Sequence, residues 1–130
     1  MRIWLIDDDD IYKFATSRSI KSEFSDSSVD TFNDGEEALQ HFATLKEGPL
    51  ESIPDIVLLD INMPIMNGWE FLEKYSEHVG GLVKLPRIYM VTSSVNDWDM
   101  ERASDNELLT GYVSKPLSRE TIRKLYADQI

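Results

Sequence analysis

Four short apolar runs in this chain each stop at a polar residue with useful chemistry. Ile3-Trp4-Leu5-Ile6 meets Asp7-Asp8, Ile56-Val57-Leu58-Leu59 meets Asp60, Ile88-Tyr89-Met90-Val91 meets Thr92-Ser93, and Tyr112-Val113-Ser114 meets Lys115-Pro116. As parallel strands of one sheet, the runs would end along one carboxyl edge, where open α/β sheets build their sites. Carboxylates gathered there repel one another unless a cation is present. An all-oxygen acidic cluster suits Mg²⁺, which keeps several waters and takes one or two carboxylates plus a phosphate oxygen. Asp60, single at its strand end, is the candidate nucleophile, since a carboxylate can accept a phosphoryl group as an acyl phosphate. Lys115 would supply a fixed cation and Thr92 a hydroxyl donor for a phosphoryl oxygen.

The elements that must position these residues alternate in the rhythm of repeated βαβ units. A helix is expected over Ile11 to Phe24, on context more than periodicity, because its apolar positions spread around the helix. Ser28 to Phe32 reads as a short second strand, and Asn33-Asp34-Gly35 as a turn into a helix from Glu36 to Leu45. Gly48, Pro49 and Pro54 make Lys46 to Pro54 an extended loop. Met63-Pro64 and Asn67-Gly68 shape a loop before a helix from Trp69 to about Val79, stopped by Gly80-Gly81. Asp97 to Ser104 is a short helix, and Ser118 caps a last one that turns Ile122, Leu125, Tyr126 and Ile130 inward. The expected fold is α/β, doubly wound and flavodoxin-like: five parallel strands in the order 2-1-3-4-5, with right-handed crossovers placing helices on both faces. Strands 1 and 3 would then be neighbours, bringing Asp7, Asp8 and Asp60 together.

Composition narrows the function classes. A chain of 130 residues fits one compact domain with a real core. It has no cysteine, hence no disulfide framework and no thiolate metal site. The N-terminal apolar run is too short for a signal peptide or a membrane span, so the chain reads as soluble and cytoplasmic. A formal net charge of −11 repels phosphate backbones and argues against nucleic acid as a partner.

Four motifs, taken in order, resemble the receiver domains of two-component response regulators. They are the run into Asp7-Asp8, the segment Leu59-Asp60-Ile61-Asn62-Met63-Pro64-Ile65-Met66-Asn67-Gly68, the step Val91-Thr92-Ser93, and Gly111-Tyr112-Val113-Ser114-Lys115-Pro116. The resemblance covers residues 1–130 as one stand-alone receiver domain. It implies that Asp60 is the phosphoacceptor, that Asp8 ligates Mg²⁺ directly with Asp7 acting through water, and that Asn62 offers its backbone carbonyl to the metal. Lys115 would pair with the phosphoryl group and Thr92 would move to bond it. Tyr112 would follow Thr92 inward, although it also fits a fixed core aromatic. Ser93 is small, as access to Asp60 requires, Asn62 and Ser94 would tune the lifetime of the phosphoryl bond, and a cis Lys115–Pro116 bond is expected.

The same resemblance implies a signalling domain rather than an enzyme. A histidine kinase or histidine phosphotransfer protein would phosphorylate it, and it would act on a downstream protein target as a monomer or a phosphorylation-dependent dimer. Two alternatives stand beside this reading. One is a small Mg²⁺-dependent phosphohydrolase of the haloacid dehalogenase type, whose first motif Asp7-x-Asp9 mimics. The other is a receiver-like binding module independent of phosphorylation.

The sequence departs from the family in its run Asp7-Asp8-Asp9-Asp10, its long loop around Pro49, and Glu107-Leu108-Leu109-Thr110 in place of small residues. Asp9 and Asp10 are read as helix cap or solvent acids. His41 and His78 are read as surface residues, Trp4 as strand packing, and Trp69 and Trp98 as exposed or partner-facing. Ile11 and Phe14 fit either the core or a kinase-docking face.

Overall fold

The computed structural model describes residues 1–78, 80, 82, 84–93 and 96–128. Five strands, β1 (Arg2–Ile6), β2 (Ser28–Phe32), β3 (Ile56–Asp60), β4 (Arg87–Thr92) and β5 (Leu109–Ser114), form one sheet in the order β2-β1-β3-β4-β5. Every adjacent pair is parallel. Between and after them lie α1 (Asp10–Glu23), α2 (Gly35–Leu45), α3 (Gly68–Ser76), α4 (Asp97–Ser104) and α5 (Arg119–Tyr126). The expected doubly wound architecture and strand order are therefore the observed ones.

The alternation of side chains along a strand explains the two cores. Trp4, Ile6, Val57, Leu59, Ile88 and Met90 point to one face, where Phe42 of α2 and Phe71, Leu72 and Tyr75 of α3 cover them. Ile3, Leu5, Ile56, Leu58, Tyr89 and Val91 point to the other, under Ile20 of α1 and Ile122 and Leu125 of α5. With both faces covered, β3 is buried along its whole length, which is why it reads as an unbroken apolar run.

Helix starts follow side-chain capping. Asp9, Asp34, Asn67, Asn96 and Ser118 each accept a hydrogen bond from a backbone N–H of the first turn, and Asn67 with Glu70 completes a capping box. The boundaries of α4 are those expected, while α3 stops at Ser76. The segment expected as an extended loop contains a 3₁₀ turn, Leu50–Ser52, set by Pro49. Val79, Gly81, Ser94 and Ile130, named above in the third helix, its stop, the lifetime assignment and the last helix's inner face, lie outside the described residues.

Candidate functional site

The carboxyl ends of β1, β3, β4 and β5 converge as the parallel topology requires. Ligand oxygens of Asp7, Asp8 and Asp60 all lie within 4.8 Å of one another, with Asp7 and Asp60 buried and Asp8 exposed. The aspartate run divides its labour. Asp7 accepts a hydrogen bond from the Asp9 N–H (2.9 Å), while the Asp9 side chain caps α1 by accepting from the Tyr12 N–H (3.0 Å). Asp10 opens the first turn, where an acid suits the helix dipole, and pairs with Lys13 at 3.2 Å. Asp9 is thus taken by the helix cap, in agreement with the sequence reading.

Lys115 enters from the end of β5, its peptide bond to Pro116 cis. Its Nζ lies 2.7 Å from Asp7 Oδ2 and 3.6 Å from Asp60 Oδ1, so the ammonium is shared between two acids and stands nearer Asp7. Burial alone would lower its proton affinity, but the hydrogen bond and charge of Asp7, with the charge of Asp60, hold it above the ordinary lysine range. Asp60 moves the other way from a typical acid. Burial first and the Asp7 charge second raise its pKa to about 6, against the opposing pull of Lys115 and of the Asn62 N–H, which donates to Oδ1 at 3.4 Å. At neutral pH the carboxylate is still mostly ionised, and it is a stronger base than a surface aspartate.

The loop from Asn62 to Asn67 closes the site on one side. Pro64 C=O accepts from the Met66 N–H (2.9 Å) around Ile65, which has φ 72° and is 91% exposed, giving a strained γ-turn. Gly68 returns the chain so tightly that a Cβ there would stand 2.7 Å from the Asp60 carbonyl oxygen. Thr92 is buried at the end of β4, and Tyr112 is half-buried, its phenol raised above the ordinary range by burial first and the Asp99 charge second, with the Thr92 side chain pulling the other way. Ser93 is exposed.

Several sequence expectations outside the site need correction. Trp69 is buried, with the Arg102 guanidinium over its ring at 4.6 Å, whereas Trp98 is exposed as expected. Ile11 and Phe14 are 82% and 65% exposed, which removes the core reading. His41 is exposed but sits edge-on to Phe32 at 4.9 Å, close to Trp4. Two residues near the site escaped the sequence reading. Lys13 is buried, reaching Asn33 Oδ1 at 2.5 Å, and the Tyr12 ring faces Lys115 Nζ at 4.4 Å. Helical phase offered the missed signal, because the first turn after the acids must overlook the carboxyl edge.

This geometry agrees with what known proteins share with the chain. Residues 3–127 match the family of the response regulator receiver domain. The chain belongs to that family. It is 30% identical over 124 residues to the probable methanogenesis regulatory protein FilR2 of Methanothrix harundinacea, covering 94% of this chain and 76% of that protein. It is 37% identical over 82 residues to the sensor histidine kinase CheAY of Helicobacter pylori, covering 63% of this chain but only 10% of the kinase. The crystal structure of a two-component response regulator from Cytophaga hutchinsonii superposes with a TM-score of 0.88 at 28% identity, covering 98% of this chain and 95% of that one. As a receiver domain of two-component signalling, the chain accounts for all four strand-end motifs together. The phosphohydrolase alternative does not: Asp9 of its mimicked motif caps a helix, and the acids that meet at the strand ends are Asp7, Asp8 and Asp60.

Among the described residues no helix is long and apolar enough to cross a membrane.

Proposed function

We propose that this receiver domain accepts a phosphoryl group on Asp60 in a Mg²⁺-dependent reaction and passes the signal on as a changed protein-binding face. The observation that carries the reading is the meeting of Asp7, Asp8 and Asp60 within 4.8 Å, with Lys115 Nζ in reach of two of them. Three hard oxygen donors suit Mg²⁺: Asp8 and Asp60 would ligate it directly, with the Asn62 carbonyl, and Asp7 through water. When bound, the ion supplies positive charge to the phosphoryl oxygens.

The chain's own residues do the rest. A histidine kinase or phosphotransfer protein presents a phosphohistidine in the cytoplasm. An Asp60 carboxylate oxygen attacks phosphorus in line, the P–N bond breaks, the electron pair leaves with the imidazole, and an acyl phosphate forms. Lys115 balances the charge gathering on the phosphoryl oxygens, and Thr92 donates its hydroxyl to one of them. That donation draws on a side chain that also bears on the Tyr112 phenol. Tyr112 lines a cavity with Met100, Ala103 and Leu109, so a change at Thr92 can reach the face made by α4 and β5. The receiver is a phosphoacceptor rather than an enzyme with a separate substrate, its output a protein target.

Intact-mass spectrometry after incubation with Mg²⁺ and acetyl phosphate tests the reading. One added phosphoryl group, absent in Asp60→Asn and without metal, is expected. No adduct under conditions that label a working receiver would overturn it.

A further inference from the structure

The Lys115 side chain has four rotatable bonds, and the strongest attraction on it in this structure is Asp7, not Asp60. A third group also holds it: the ring of Tyr12, whose centroid lies 4.4 Å from Nζ. Resting on the role proposed above for Lys115, we propose that Tyr12 is a positioning residue that keeps this ammonium aimed into the acid pocket.

Tyr12 is itself well anchored. Its backbone N–H is the one that caps onto Asp9, so the ring stands at a defined place in the first turn of α1. Its hydroxyl is buried toward Thr16 without completing a well-formed hydrogen bond, and burial pushes the phenol far above its ordinary range. The ring is therefore neutral. That matters in a pocket already holding three carboxylates. A fourth acid would steady the lysine but would also repel an incoming phosphoryl group. An aromatic face attracts a cation through its quadrupole and adds no net charge. The same capping aspartate thus orients Asp7 through its N–H and Tyr12 through its side chain, placing both groups that flank Lys115.

The ring, not the hydroxyl, carries the proposed role, which separates Tyr12→Phe from Tyr12→Leu and Tyr12→Met. Lysine ε-methylene resonances can be followed in protein labelled at lysine ¹³Cε, the Lys115 signal being the one missing from Lys115→Met. Wild type and Tyr12→Phe are expected to show it shifted upfield by the ring current, and the aliphatic variants at an ordinary lysine position. With acetyl phosphate, the saturating rate of phosphorylation should fall about fivefold in Tyr12→Leu and Tyr12→Met. It should stay within about twofold in Tyr12→Phe, with the Mg²⁺ half-saturation point unchanged throughout. An unshifted Lys115 signal in wild type, or aliphatic variants that keep the wild-type rate, would overturn the proposal. Wild type that takes no phosphoryl group would instead sink the receiver chemistry proposed above, while the resonance comparison still decides the contact.

Discussion

The Arg102 guanidinium lies 4.6 Å above the ring of Trp69, tying α4 to the first turn of α3. Trp69 follows Gly68, whose backbone is pressed against the Asp60 carbonyl, so a short path of contacts runs from the strand end bearing Asp60 to the helix beside Tyr112. Apart from this contact, α4 is lightly held: Ala103 is its one buried residue, and Trp98 and Met100 face outward. Arg102→Ala should therefore loosen α4 selectively. A cation–π contact of this kind contributes about 1 kcal/mol, so amides of Asp97–Ser104 should exchange roughly fivefold faster with deuterium. Exchange in β3 should not change. Equal acceleration across the domain would mean that the pair supports the fold generally and does not clamp α4.

The raised pKa of Asp60 has a stability consequence with a definite sign. Its pKa in the folded protein is about 6, above the ordinary value of 3.8, so the native state binds more protons than the unfolded state between these values. Stability contributed by this group is present at low pH and lost as pH rises through about 4 to 6, by up to ~3 kcal/mol. In metal-free protein, Asp60→Asn should then be more stable than wild type at pH 7, with the gap closing near pH 4. Lys115→Ala should do the opposite, costing about 3 kcal/mol at pH 7 by leaving Asp7 and Asp60 without a counter-charge. Urea titrations in EDTA at the two pH values measure both, and shifts of the same sign would refute the electrostatic account.

Two glycines at the first positions of helices separate backbone crowding from side-chain crowding. At Gly68 an added Cβ would meet the Asp60 carbonyl oxygen at 2.7 Å and Ile61 Cα at 3.1 Å, neither of which can swing away. At Gly35 it would meet side-chain atoms only, the Met66 Sδ at 2.9 Å, the far end of a flexible side chain, and the edge of the Phe71 ring at 3.2 Å. Alanine should gain something from helix propensity at both sites, but only at Gly35 can the neighbour give way. Gly68→Ala is expected to lose about 1–3 kcal/mol and to weaken Mg²⁺ binding by moving Asp60. Gly35→Ala should be close to neutral. Thermal melts with and without Mg²⁺ decide between these outcomes.

The topology and the strand-end residues were legible because parallel strands buried on both faces are unbroken apolar runs, and their ends are marked by the acids, threonine and lysine themselves. α1 was harder to read. Its inner face is Lys13, Thr16 and Ile20, with Ile11 and Phe14 outside, so hydrophobic periodicity carried almost no signal. Trp69 misled for a related reason: its place in the first helical turn suggested exposure, but the tight return at Gly68 turns it into the core and under Arg102. The sharing of Lys115 between Asp7, Asp60 and Tyr12 depends on side-chain distances that no spacing in the sequence specifies.

The aspartate run finally allows stability and metal binding to be separated within two adjacent residues. Asp8 is exposed and meets the other two acids at the site, while Asp9 caps α1. Asp9→Ala should cost about 1 kcal/mol in stability through the lost cap. Asp8→Asn should leave stability nearly unchanged without metal, because it removes one member of a mutually repelling trio. Mg²⁺ titration by tryptophan fluorescence gives the second readout. Trp4 and Trp69 are buried and Trp98 is 72% exposed, so Trp98→Phe removes the signal most open to acrylamide and leaves the two inner reporters. In that background Asp8→Asn should abolish the Mg²⁺ response, and Asp9→Ala should retain it within about threefold of the wild-type affinity, less than the tenfold that 1.4 kcal/mol represents. A response lost in Asp9→Ala and kept in Asp8→Asn would reassign the metal pair one residue along the run.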